Sequence, residues 1–173
     1  MTIRKVASLV VALAVSSALA APAFAVTVTL ANGNPLSSSG EPFSATGATT
    51  LTKGTISTSC TATFNGIITS TGAVTITSTT FGGGGLCGLI SGSATSTAPW
   101  TGQAVSPTQL TISNVQVSAS LLGTCGPSPV STAFNNAQSG TTPPSSLTFN
   151  GATLTPNCTV SGIVTTSPAF NVQ

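Results

Sequence analysis

From residue 26 onward this chain keeps returning to one pattern: a small hydroxyl residue, then an apolar one, then a hydroxyl again. Val26-Thr27-Val28-Thr29-Leu30, Ile56-Ser57-Thr58-Ser59-Cys60-Thr61-Ala62-Thr63-Phe64, Val74-Thr75-Ile76-Thr77 and Leu110-Thr111-Ile112-Ser113 follow it, with Thr58 the one hydroxyl at an apolar position. A period of two sends successive side chains to opposite faces of a strand, so each segment carries one apolar and one hydroxyl face. Thr is β-branched and suits extended backbone. No stretch of residues 26–173 sustains a helical period, and eleven prolines and eighteen glycines punctuate the chain. The expected fold is all-β: an antiparallel, disulfide-linked β-sandwich or short barrel. Residues 26–173 make a single domain, because a chain of about 150 residues buries about 70% of its unfolded surface.

Two turns look explicit. Asn65-Gly66 follows Phe64 and precedes Ile67-Ile68-Thr69, and Asn150-Gly151 separates Leu147-Thr148-Phe149 from Ala152-Thr153-Leu154. Asn-Gly is the strongest short hairpin signal, since both residues accept positive φ. Two-residue loops would set Phe64 opposite Ile67 and Leu147 opposite Leu154, with Ile68 facing outward. Val115, Val117, Ala119 and Leu121 share one face of a further strand. Gly82 to Gly85 form a loop; without a following strand–helix context they are no phosphate cradle.

The first 25 residues differ in kind. Arg4 and Lys5 precede an apolar run from Val6 to Ala20, and Ala23-Phe24-Ala25 supplies small residues at the −3 and −1 positions of a cleavage site. Residues 1–25 read as a secretory signal peptide. The run is shorter than the roughly 20 residues a membrane span requires, so no transmembrane segment is expected after cleavage at Val26. The protein is expected to be secreted, extracellular or associated with the cell surface.

Without those residues only Glu41 and Lys53 carry side-chain charge, and no Asp, Arg, His or Tyr remains. General acid–base and electrostatic catalysis both draw on such groups. A bare Ser or Thr nucleophile would lack an adjacent base. The expectation is therefore no enzyme, no catalytic residue, no metal and no cofactor. A chain of zero net charge offers no basic surface for nucleic acid.

Cys60, Cys87, Cys125 and Cys158 are an even set in an exported chain, with no Cys-x-x-Cys spacing and no His to complete a metal site. Two disulfides are expected, and three pairings are open. The landmarks Leu51-Thr52, Cys60, Phe64-Asn65-Gly66, Val74-Thr75-Ile76 and Cys87 recur in order as Leu110-Thr111, Cys125, Phe134-Asn135-Asn136, Leu147-Thr148-Phe149 and Cys158. They suggest two duplicated β-units packed face to face. The preferred pairing keeps each loop within one unit: Cys60–Cys87 and Cys125–Cys158. Pro99-Trp100-Thr101-Gly102 would be the junction. Trp100, the sole tryptophan, is either a core or seam residue or a surface contact for a ligand.

Several of these runs resemble one family. Phe43-Ser44-Ala45-Thr46-Gly47, Leu51-Thr52-Lys53-Gly54 and Cys60-Thr61-Ala62-Thr63-Phe64-Asn65-Gly66 look like the secreted alkane-oxidation protein activators of pseudomonads. So do Pro99-Trp100-Thr101-Gly102, Leu121-Leu122-Gly123-Thr124-Cys125-Gly126 and Cys158-Thr159-Val160-Ser161-Gly162. The resemblance covers nearly all of residues 26–173. It implies an exported, non-enzymatic factor that promotes growth on alkanes, by emulsifying hydrocarbon or attaching cells to it. Its partner would then be hydrocarbon or an oil–water interface. A nearly uncharged protein meets little electrostatic barrier to adsorption or self-association. The alternative is a structural or adhesin subunit of a surface or biofilm assembly, touching the cell envelope or its own copies, with Val26–Leu30 as a donor strand.

Overall fold

In the computed structural model the described residues are 26–137 and 144–173. The expected leader, residues 1–25, lies outside them. Eleven strands follow in order: β1 (Val28–Leu30), β2 (Glu41–Lys53), β3 (Ile56–Ile68), β4 (Ala73–Gly82), β5 (Ile90–Gly92), β6 (Trp100–Ser106), β7 (Gln109–Ala119), β8 (Gly123–Asn135), β9 (Ser146–Leu154), β10 (Cys158–Ser167) and β11 (Phe170–Val172). A 3₁₀ turn, Gly85–Leu89, leads into β5.

The fold is a closed up-and-down barrel. β2, β3, β4, β6, β7, β8, β9 and β10 each pair antiparallel with the next, β10 returns to β2, and the β7–β8 ladder completes the ring. β5 pairs with β7 ahead of β6, so β5 and β6 together form one interrupted stave. Of the two expected architectures, the barrel is the one formed. Closure gives every stave a neighbour on both sides over at least part of its length. Neighbouring hairpins alternate between two ends. One end holds the turns after β2, β4, β7 and β9, and is called here the Lys53 end. The other holds Glu41.

Alternation puts the apolar set inside. On β3, Cys60, Ala62, Phe64 and Ile68 are buried, while Ile67 is 40% exposed. Outside, hydroxyls meet across the ladder: Thr46 with Thr63 at 3.1 Å, Thr50 with Ser59 at 2.7 Å and Thr52 with Ser57 at 3.0 Å. Such cross-strand pairs are the ordinary unit of sheet stabilisation. Here they replace the charged pairs a typical barrel surface carries.

Both expected hairpins are absent. β3 runs straight through Asn65-Gly66, which pairs with Ser44 and Phe43 on β2 and with Ser78 and Ile76 on β4. Ladders on both flanks override the local turn preference. Ile68 therefore points inward and Ile67 outward, the reverse of the sequence expectation. The Asn65–Gly66 step is a bulge against β4, where Thr77 is the extra residue. β9 likewise runs through Asn150-Gly151. Gly151 has φ +62° and sits in a bulge between the Ala152–Val160 and Phe149–Gly162 pairs. Leu147 and Leu154 do not face each other; both point into the barrel from one strand.

The repeated landmarks are real positions, but in one barrel and not in two packed units. Cys60 lies on the second stave of the first four and bonds Cys87, just before the fourth; Cys125 lies on the second stave of the last four and bonds Cys158, which opens the fourth. Each bridge spans a place where the ladder fails. β4 has registered partners on β6 only from Ala73 to Ile76, and β8 meets β9 only from Ala133 to Asn135. At the Lys53 end the second gap is also crossed by Gly126 N donating to Thr155 O at 2.6 Å and Thr155 N donating to Ser128 Oγ at 3.0 Å.

The Glu41 end is closed. β1 and β11 form a two-stranded sheet across it, with Val28, Phe170 and Val172 almost wholly buried. Asn136 fixes β11 by donating to Val172 O at 2.9 Å and accepting from Val172 N at 2.6 Å. Val26–Leu30 is thus no free donor strand; the chain's own C-terminal strand already occupies its ladder.

Candidate functional site: an apolar interior and its leucine-rich end

Charge does not define a site in this barrel. Glu41 and Lys53 begin and end the thirteen-residue β2, which places them about 40 Å apart at 3.3 Å per residue. Lys53 Nζ donates to Leu122 O at 2.6 Å, tying β2 to the β7–β8 turn. The four cysteines are all in disulfides. Among the described residues no three His, Cys, Asp or Glu side chains gather where an ion could sit.

What the barrel does build is apolar. Phe64 stands near the middle, with ring centroids of Phe149 and Trp100 each at 6.2 Å and Phe81 at 6.4 Å. These residues come from β3, β9, β6 and β4, so one cluster ties distant staves together. Aromatic pairs at such spacing add to the stability given by burial. Trp100 is only 3% exposed and is not a surface residue. Its Nε1 donates to Ser93 Oγ at 2.9 Å, which satisfies its one polar atom.

Beside this cluster the side chains leave a cavity of about 70 Å³. Trp100, Phe64, Phe81, Ile90, Ala45 and Val117 are among its walls, and no charged side chain lines it. Thr49, Thr58 and Thr166 also reach it; the hydroxyls of Thr49 and Thr166 donate to Cys60 O and Ser145 O, and Thr58 stands toward the Lys53 end. The wall is therefore hydrocarbon in character.

The Lys53 end is unlike the rest of the surface. Of the seven large exposed hydrophobics among the described residues, Ile56, Leu86, Leu89 and Leu121 belong to turns or strand starts at this end. Leu121 is 62% and Leu89 53% exposed. Leu86, Leu89, Leu121 and Leu122 line a shallow cleft, together with Thr58 and Ile90. Thr58 and Ile90 also line the interior cavity, so cleft and cavity share a wall.

Leu86 and Leu89 were not singled out from the sequence. A signal existed: Leu86-Cys87-Gly88-Leu89-Ile90 breaks the hydroxyl alternation directly after four glycines. An apolar run with no polar face has nowhere to hide a second side, and here that side is left outside. No helix of the described residues is long and apolar enough to cross a membrane.

The chain matched no curated protein and no solved structure. A family model described as "Alkane oxidation protein activator PraA/PraB-like" matches residues 1–173, and on that match the chain belongs to this family of alkane oxidation activators.

Proposed function

We propose that the protein is secreted, has no catalytic activity of its own, and promotes alkane use by adsorbing to hydrocarbon through the Lys53 end of the barrel. Adsorption there emulsifies the oil or holds cells against it. The observation that carries this reading is the leucine cluster, Leu86, Leu89 and Leu121, exposed on a barrel with a single charge at that end. Contiguous exposed apolar groups mark contact surfaces. The hydroxyl ladders support the rest of the role, since they keep the flanks wetted without charge. Closed ladders and two disulfides support a body that keeps its shape at an interface, where looser proteins unfold.

Burying a leucine fully is worth about 1.5–3 kcal/mol. These three are partly covered already, so each contributes about 1 kcal/mol on entering oil. Together they shift partition by about a hundredfold. Interfacial tension at a hexadecane–water boundary checks this. The triple variant Leu86→Ser, Leu89→Ser, Leu121→Ser should stay folded, because the side chains are exposed, and should lose most of the tension fall. The variant Glu41→Gln, Lys53→Gln should keep it. Equal tension curves for the wild type and the triple variant would reject adsorption through this end. Export is checked separately: protein from culture supernatant should have the mass of a chain starting at Val26, and an intact residue 1 in soluble cytoplasm would overturn it.

A further inference from the structure

Adsorption needs only the outside of the barrel. The interior carries a separate consequence: we propose that the cavity is a binding site for one unbranched alkyl chain, which enters at the Lys53 end and lies along the barrel beside Trp100. The proposal does not depend on the adsorption reading.

Three observations lead to it. The first is chemistry. Among the described residues the wall offers no charged side chain; the hydroxyls of Thr49 and Thr166 are spent on backbone carbonyls, and the remaining one, on Thr58, stands toward the Lys53 end. A polar group placed deeper, beside Trp100, would lose its hydrogen bonds to water and gain none. An apolar space of this kind stays dry, so a hydrocarbon occupant displaces no ordered water and gains the contacts the wall lacks.

The second is shape. The walls include Thr58 and Leu51 toward the Lys53 end, and Phe43, Ile68 and Phe170 toward the other. Thr58 to Ile68 alone spans about 33 Å of strand. The space of about 70 Å³ is about half the 150 Å³ of an apolar cavity that takes benzene, so at rest it seats only the leading few methylenes of a chain. A longer chain extends it by parting side chains along the barrel, and a slim zigzag parts them least.

The third is access. Phe43, Ile68 and Phe170 are buried beneath β1 and β11, so the Glu41 end is shut. Toward the Lys53 end the wall residues Thr58, Phe81 and Ile90 are each partly exposed, and Thr58 and Ile90 belong to the leucine cleft as well. Beyond the Ile76–Trp100 pair β4 has no ladder partner on its β5 side. Thr79 Oγ1 is buried in that stretch with no hydrogen-bond partner, and Gly92 lies against it. The wall is held there by side-chain contact and the Cys60–Cys87 bridge, so it can part without breaking a ladder hydrogen bond.

Trp100, the sole tryptophan, reports occupancy directly. Bromine quenches indole emission at contact, so the probes are 1-bromooctane, 8-bromooctanoate and bromocyclohexane, each titrated into the oxidised protein. Saturable quenching at one octyl chain per barrel is expected, with none from bromocyclohexane. If 1-bromooctane is preferred, the chain belongs to a hydrocarbon. If 8-bromooctanoate is preferred, it belongs to a carboxylate whose head stays at the rim that Lys53 shares; either preference supports the alkyl site. Ala45 is fully buried in the cavity wall. Ala45→Leu fills the space and should abolish saturable quenching while leaving interfacial tension as in the wild type. Should that variant not fold, Thr58→Phe obstructs the mouth from a half-exposed position and should have the same effect. Quenching by neither octyl probe overturns the proposal, and so does unchanged saturation in a folded filled variant. Loss of tension lowering in the leucine variant, with quenching intact, would separate the two sites.

Discussion

Gly66→Ala should destabilise the barrel by about 3 kcal/mol, the largest effect of any single added methyl in β3. A Cβ at Gly66 would lie 2.2 Å from Thr75 O and 3.0 Å from Ile76 Cα, both backbone atoms of β4. No rotamer change relieves a clash with a neighbouring ladder; the strands themselves must separate. Gly151→Ala is the informative comparison. Gly151 has φ +62°, and nothing lies within 4 Å of its added Cβ. Its cost is conformational only, about 1 kcal/mol. The two Asn-Gly pairs look alike in sequence, yet one glycine is required by close approach and the other by backbone angle. Urea unfolding of both variants checks this. Equal losses would mean that Gly66, too, is held by its dihedral angles and not by β4.

Replacing Cys125 and Cys158 together by alanine should remove about 3.7 kcal/mol. That figure comes from the entropy of a closed loop with a sequence separation of 33 residues. For a domain of this size it lowers the thermal midpoint by about 10 °C. The position of the bridge makes a sharper expectation. At the Lys53 end β8 and β9 share no ladder, and the bond joins β8 to β10 across that gap. Amide exchange should therefore accelerate first at Gly123–Ser128 and Leu154–Cys158. The ladder from Ala133 to Asn135, toward the Glu41 end, should stay protected. Uniform acceleration around the ring would show that the bridge stabilises only by constraining the unfolded chain.

Much of the fold was legible because one face of each strand is buried. Val74, Ile76, Leu110, Ile112, Val115 and Val117 alternate with hydroxyl or amide residues, and all six are in the core. The antiparallel arrangement was legible too, but where each stave begins and ends was not. Asn65-Gly66 carries a strong local turn preference, and only the ladders on both sides of β3 cancel it. Those ladders are non-local, so no window of sequence around residue 65 contains them. The choice of barrel over sandwich has the same origin, because it rests on β7 meeting β8 and β10 meeting β2. For the site, composition alone pointed away from charge and toward neutral surface. It did not find the Lys53 end, since Leu86, Leu89 and Leu121 come from two turns that are distant in sequence. Trp100 was noticeable as the only residue of its kind, but its burial depends on Ser93 and Phe64 closing around it.

The pairing of β1 with β11 gives the molecule a head and a tail. Thr27 and Gln173 exchange backbone hydrogen bonds at 2.8 and 2.9 Å, so the described chain starts and finishes side by side at the Glu41 end. Anything fused to the C-terminus projects from that pole, while the leucines sit at the opposite one. A barrel anchored to a bead, a sensor chip or a cell by Gln173 would present its greasy cap outward, with its long axis along the tether. Orientation of this kind comes free with the topology. It makes a C-terminal tag the informative choice for measuring how a single molecule grips a droplet.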